Sequence, residues 1–331
     1  MKILIFTKNW LGDVLFETPA IKAIRQNYPS AHLVCATPLR CAEILKRNPY
    51  VNSIIPFDEK TSHRSLKAKW DFVLRLRKEK IDIGFLFHRS FTRALLLLLG
   101  GVKQRIGYAT KGRSFLLTKA VKITGGKKHQ VNYFLDLLKN AGLRVSVDPC
   151  CEFYFSREDE QKVSRFLQKK GFDTDFLIAL NPGGNRSNKR WPARYFAQLA
   201  DMIAVRYPCS FVVTGNQADD ALATDISHFA RKGRFCSLCG DTSLGELGAV
   251  FSRCRLVISG DSGPLHIAAG VGARVLALFG PTDPQLFSPK GYAKSTVIRS
   301  DSRAGYAMNS IKPDRVLETI QREKLLERHS R

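Results

Sequence analysis

Apolar and polar positions along the chain alternate between short, buried-type runs and longer stretches of helical period. Residues 2–7 predict a first strand and 8–12 a loop. A helix then runs to about Asn27, with Pro19 near its start or kinking it, and Tyr28-Pro29-Ser30 closes it. Strands are expected at 32–36, 53–56, 81–87 and 105–108, with helices at 38–47, 66–80 and 92–99. A further helix at 131–141 is ended by Gly142. Residues 150–156 cross into a second unit, whose first helix is 157–171. The pattern then starts over: strand 176–181, helix 193–207, strand 210–214, helices 219–231 and 244–253, strand 256–259, helix 265–270 and strand 275–279. A short strand at 297–299 and a charged helix at 313–328 finish the chain. Strands alternating with helices at these lengths make parallel βαβ units. The expected fold class is α/β: two doubly wound Rossmann-like domains, 1–155 and 156–331, facing a central cleft, with the terminal helix placed to pack back on the first domain. Ligands in such sheets sit outside the carboxyl ends of the strands.

The most informative stretch is 256–281, LVISGDSGPLHIAAGVGARVLALFGP, which reads strand, turn, helix, strand, turn. Small residues at Gly260-Asp261-Ser262-Gly263 place backbone amides where a strand hands over to a helix. First-turn amides have no partner within the helix, and the helix dipole favours negative charge there. Pro264 suits the first helical position because it has no N–H to lose. The natural occupant is a phosphate or diphosphate; a plainly capped helix is the other reading.

Charge narrows the partners. The 331 residues carry 53 Lys+Arg against 29 Asp+Glu, a formal net charge of +24. This balance calls for an anionic partner: nucleic acid, an anionic membrane surface, or a phosphorylated or acidic-sugar substrate. No arginine-rich block, zinc-finger spacing or RNP-type aromatic motif is present, so no nucleic-acid partner is expected. The apolar run after Lys2 is only four residues, too short for a signal peptide, and 94–99 is too short to span a bilayer. A cytoplasmic protein, peripheral on a membrane surface, is expected. Eight scattered cysteines fit reduced thiols, and Cys236-Ser237-Leu238-Cys239 has no second pair to complete a zinc site.

Three junctions carry candidate chemistry. Lys8-Asn9-Trp10-Leu11-Gly12-Asp13 lacks the GxGxxG fingerprint. Asp13 either caps the helix or acts as a general base; Glu17 shares its helix face as a second site member or a surface charge. In Asn181-Pro182-Gly183-Gly184-Asn185-Arg186-Ser187-Asn188-Lys189-Arg190-Trp191, the glycine pair admits close approach of a ligand and the cations suit phosphate. A fully solvated loop would have little use for Trp191. Gly215, Asp219 and Asp220 follow a buried strand, where an acid can bind ribose hydroxyls or cap the next helix. His266 either touches phosphate or supports its loop. Asp173-Thr174-Asp175 precedes a strand and reads as a turn rather than a metal site.

LGDVLFETPA, then PGG…KRWP, then GDSGPLHIAAGVGARVLALFGPTDP, in this order and at these separations, resemble glycosyltransferase family 9, the ADP-heptose–lipopolysaccharide heptosyltransferases. The second-heptose type is most similar, and the likeness covers nearly the whole chain. The resemblance implies a GT-B fold, no cofactor, no obligatory metal and inverting transfer from ADP-heptose. By it the first domain binds the acceptor and the second the nucleotide sugar. Asp13 matches the catalytic base, Lys189 the lysine on the donor diphosphate, and Asp261-Ser262-Gly263 the loop that cradles it. Gly184, Asn185, Ser187 and His266 join the diphosphate group, although Asn185 and Ser187 depart from the family's side chains. Gly215 with Asp219 or Asp220 falls near the ribose contact. The implied acceptor is the lipopolysaccharide inner core, Kdo-lipid A or heptosyl-Kdo-lipid A. His88, Arg89, Arg105, Lys111 and Arg113 are its candidate contacts, with an anionic membrane surface as a further partner. Another GT-B nucleotide-sugar enzyme, such as an epimerase, or a non-catalytic binder of anionic glycolipid are the competing functions.

Overall fold

Short apolar runs bounded by turn residues, such as 3–6 and 275–279, become central strands buried on both faces. In the computed structural model, which describes residues 1–172, 176–301 and 305–327, the chain divides into Met1–Cys151 and Glu152–Arg331. The first unit holds β1 (Lys2–Phe6), β2 (His32–Thr37), β3 (Ser53–Pro56), β4 (Ile83–Leu86), β5 (Gln104–Tyr108) and β6 (Lys119–Val121) in a parallel sheet of order β3-β2-β1-β4-β5-β6. Its helices are α1 (Leu11–Asn27), α2 (Leu39–Lys46), α3 (Leu66–Glu79), α4 (Phe91–Leu99) and α5 (Gln130–Asn140).

α1 is buried along most of its length, from Val14 to Ile21 without a break, so it is a core element, packed beside α5 and α2. Pro19 sits inside it and cannot donate to the Leu15 carbonyl. The Thr18 hydroxyl does so instead, at 2.8 Å, which lets the helix continue through the proline.

The second unit repeats the plan with α6 (Arg157–Lys169), β7 (Leu177–Asn181), α7 (Ala193–Ala204), β8 (Ser210–Val213), α8 (Asp220–Phe229), β9 (Phe235–Ser237), α9 (Leu244–Arg253), β10 (Cys254–Gly260), α10 (Gly263–Gly270), β11 (Val275–Phe279), α11 (Pro284–Phe287), β12 (Ser295–Arg299) and α12 (Pro313–Arg322). The parallel order is β12-β11-β10-β7-β8-β9. Counted within each unit, both sheets have the 3-2-1-4-5-6 order of a dinucleotide-binding fold.

The two sheets thus bear out the doubly wound α/β class. β6 and β9 escape the sequence pattern because each is a three-residue edge strand, too short to show a period. α12 stops at Arg322 rather than continuing to 328. Lys324 turns into the left-handed region at φ 51°, and Leu325 and Leu326 fold back into the core. Val316, Leu317 and Ile320 of α12 pack in that same second-unit core, beside α7. The Asp173-Thr174-Asp175 turn lies outside the described residues. No helix among the described residues is long and apolar enough to cross a membrane.

Candidate functional site

Strand order reverses between β1 and β4 in the first unit and between β7 and β10 in the second. Loops leaving the carboxyl ends of these pairs diverge and leave room for a ligand. The sequence candidates from 8–13 and 88–90 fall at the first reversal, and those from 181–190 and 260–263 at the second.

In the second unit β10 ends at Gly260 and α10 begins at Gly263, with Pro264 one place inside the helix. Ser262 is the N-cap residue yet makes no capping bond. Its hydroxyl accepts from Asn181 Nδ2 at 3.3 Å and lies 3.1 Å from Ser259 Oγ. The helix start is therefore not taken by the Ser262 side chain, an arrangement compatible with an anion there. Gly260 is needed for packing: a Cβ there would stand 2.8 Å from the Lys189 carbonyl. This close approach brings Lys189, at the end of a 3-10 turn (Ser187–Lys189), to the head of α10.

Lys189 Nζ lies 2.6 Å from Asp261 Oδ2. Burial pushes the Asp261 carboxyl up, but hydrogen bonds from His266 and Lys189 outweigh it and hold the group at about 2. His266 is buried, with Nε2 3.9 Å from Asp261 Oδ1. His266 thus supports the loop through Asp261. An ionised Asp261 side chain repels phosphate, so its part in an anion site is to hold Lys189 and present the backbone beyond it.

Asn181 has a role that its place in the sequence does not announce. Buried at the end of β7, it donates to Ser259 and Ser262 and accepts from the Thr214 hydroxyl at 3.3 Å. One amide therefore ties the ends of β7 and β10 to the residue after β8. Trp191 is 2% exposed and donates from Nε1 to the Ile311 carbonyl at 2.9 Å, anchoring the far end of the 181–191 loop. Gly184 is open to solvent on its Cβ side and accepts from Arg190 Nε at 3.0 Å, while Asn185 and Ser187 are exposed.

The acidic pair separates. Asp219 is buried, its Oδ2 accepts from the Asn216 amide at 3.1 Å, and Arg190 Nη2 lies 3.6 Å from its Oδ1. Side chains at Gly183 or Gly215 would collide with it. Asp219 thus braces the two loops through Oδ2, while its Oδ1 is buried without a hydrogen-bond partner. Asp220 is half-buried and accepts from Ser237 Oγ at 2.9 Å.

In the first unit Asp13 is half-buried in the first turn of α1, two residues after Leu11. Trp10 is the N-cap residue and makes no capping bond. Glu17, one turn on, is fully buried and is no surface charge. Its Oε1 accepts from the Lys8 amide at 2.8 Å, and its Oε2 is buried without a hydrogen-bond partner. Burial raises its pKa well above the carboxylate range. The Asp13 charge adds to this, and the Lys8 amide, the Lys8 charge and Arg93 oppose it.

Arg93 also lies beneath this loop, fully buried. It donates to the Thr7 carbonyl, to Asn9 Oδ1 at 2.6 Å and to Glu59 Oε2 at 2.8 Å. The available signal was a lone cation inside the apolar run of α4. Burying so much charge is tolerable only when each group is paired, so the network fixes the loop that leads to Asp13.

The candidate acceptor contacts divide. Arg113 is fully buried and donates to the carbonyls of Tyr108, His88 and Ser90 at 3.1, 2.7 and 3.0 Å. It holds the two loops together and is not presented to a ligand. Arg105 stands at the amino end of β5, the wrong end, and donates to the Leu116 and Val102 carbonyls at 2.7 and 2.6 Å. Burial, with Arg93, Lys8, Arg113 and Lys111 nearby, brings His88 down to about 3. It is neutral near pH 7 and adds no positive charge for an anion. Arg89 and Lys111 are exposed at the carboxyl ends of β4 and β5; Arg89 lies over the Tyr133 ring and donates to its hydroxyl at 2.8 Å.

Residues 70–313 match the model of glycosyltransferase family 9 (heptosyltransferase). A lipopolysaccharide heptosyltransferase 2 of Salmonella typhimurium is 26% identical over 341 residues, covering 97% of this chain and 97% of that protein. Among solved structures, a family 9 glycosyl transferase from Veillonella parvula superposes with TM-score 0.87 at 23% identity, over 98% of this chain and 97% of that one. Escherichia coli ADP-heptose lps heptosyltransferase II gives TM-score 0.80 at 24% identity, over 98% of each. These two establish the GT-B fold. With the family match spanning most of its length, the chain belongs to glycosyltransferase family 9, the heptosyltransferase family, and is a glycosyltransferase.

Proposed function

We propose that the enzyme transfers heptose from ADP-L-glycero-D-manno-heptose to the inner core of lipopolysaccharide. The observation that carries this reading is Lys189 held against Asp261 at the uncapped start of α10, a cradle suited to a leaving diphosphate. The curated relative in Salmonella typhimurium, named for lipopolysaccharide heptosyl transfer along nearly its whole length, supports the sugar and the acceptor.

The chemistry follows from charge. Displacement at the anomeric carbon makes ADP carry growing negative charge, and Lys189 with the amides from Asp261 to Gly263 stabilises it in a partly dry site. Asp13 takes the proton from the attacking hydroxyl of the acceptor. Gly184, Asn185 and Ser187 line the same approach, and Gly215 with Asp219 or Asp220 meets the ribose. Arg89 and Lys111 supply charge to the carboxylates and phosphates of the acceptor. The site of action is the cytoplasmic face of the inner membrane, where such an acceptor would be carried on lipid A.

The test is release of ADP from ADP-heptose with heptosyl-Kdo-lipid A as acceptor, followed by mass analysis of the glycolipid. One added heptose supports the reading. Donor turnover without a glycolipid product would point to an epimerase-type activity, and no ADP release with any core acceptor would point to a binder.

A further inference from the structure

The outer side of α3 departs from what water-facing helices present. Phe72, Val73 and Leu76 are buried. Leu66, Trp70 and Leu74 are exposed at 83, 49 and 40% and follow one another at i, i+4 spacing, so they form one apolar stripe. Leu98 and Leu99 at the end of α4, which packs beside α3, are exposed as well. Arg77 links the two helices: its Nε donates to the Leu99 carbonyl at 2.9 Å, and its guanidinium lies 5.6 Å over the Trp70 ring.

Cations fringe the stripe. α3 carries five lysines and arginines against Asp71 and Glu79, and Lys67, Arg75, Arg77 and Lys78 are exposed. Single exposed apolar residues are ordinary, but a continuous stripe with a charged rim marks an interaction surface. A tryptophan between leucines fits the headgroup depth of a bilayer, and lysine stems reach from there to lipid phosphates. Pairing of this face with a second copy about a two-fold axis would set the same cations against each other; anionic lipid neutralises all of them.

We propose that the α3–α4 face docks the first unit on an anionic lipid bilayer, with α3 lying in the plane of the headgroups. The docking deepens the reading of a lipid-borne acceptor and rests on it for its purpose. Its test needs neither donor nor acceptor, so its failure leaves the transferase reading standing.

The full chain is sedimented with vesicles of phosphatidylethanolamine and phosphatidylglycerol, and separately with phosphatidylcholine alone. The expected result is co-sedimentation with the anionic vesicles, weakened by salt. Binding should fall at least tenfold in the triple variant L66Q/W70Q/L74Q and in K67E/K78E, with ADP binding and melting temperature unchanged. Equal sedimentation with phosphatidylcholine, or anionic-vesicle binding unaltered in the triple variant, overturns the proposal. A wild-type dimer that ignores vesicles and that the triple variant splits into monomers would also overturn it, by making the face a contact between copies.

Discussion

Lys189 Nζ and Asp261 Oδ2 lie 2.6 Å apart, at the junction of the β7 loop with the head of α10. A diphosphate seated on that helix start must therefore share Lys189 with Asp261. The carboxylate fixes the lysine's position, while the phosphates give it a second partner. Lys189→Met removes one charge-assisted contact of roughly 1.5–3 kcal/mol. ADP affinity is expected to fall about 10- to 100-fold by calorimetry. Affinity within threefold of wild type would remove Lys189 from the donor site.

Asp261 also fixes a pH window for stability. Its native carboxyl is held near 2, below the ordinary 3.8, so the native state binds fewer protons than the unfolded chain. The contribution is fully present above about pH 4 and is lost as pH falls through 2, roughly 2 kcal/mol in all. Denaturation of wild type and Asp261→Asn should converge between pH 4 and 2. A stability difference constant over that range contradicts the pairing.

Glu17 has the opposite sign. Its raised pKa means the native state holds the proton more tightly than the unfolded chain, so stability declines as pH climbs from the ordinary carboxylate value through the native one. Glu17→Gln keeps an acceptor for the Lys8 amide and has no charge to bury. Its melting temperature relative to wild type should rise as pH climbs above the ordinary carboxylate value. A difference flat in pH would mean that Glu17 is ionised throughout.

Trp191 anchors the loop that carries Lys189. Trp191→Ala removes a buried ring and its bond to the Ile311 carbonyl, a loss of about 3–5 kcal/mol. Trp191→Phe, which keeps a six-membered ring in the pocket but loses the bond and part of the indole volume, should cost less, about 1–3 kcal/mol. Chemical denaturation separates the two, and equal costs would show that the hydrogen bond carries the anchor.

Much of this was legible in the chain itself. The short apolar run Val275–Phe279, bounded by turn residues, reads as a central strand, and Gly260-Asp261-Ser262-Gly263-Pro264 announces a strand-to-helix junction. What stayed hidden depends on partners far away in sequence. Nothing near Arg113 tells that three carbonyls would bury it, or that Arg105 would stand at the amino end of its strand. Asp219 and Asp220 read alike in the sequence, as ribose contacts or helix caps, and only the close approach of Gly183 and Gly215 sets Asp219 apart as a buried brace. Glu17 reads as a site member or a surface charge, because nothing beside it in sequence tells that α1 is buried almost all round. A polar residue's role follows from its burial, and burial of one position is set by the whole sheet.

The central claim is that Asp13 acts as the base for transfer on to a core acceptor. The most direct measurement is single-turnover transfer from ADP-heptose to heptosyl-Kdo-lipid A by wild type and Asp13→Asn, with ADP affinity measured alongside. The account predicts a loss of about 10²–10⁴-fold in the rate with ADP affinity unchanged. A rate within tenfold of wild type would contradict it.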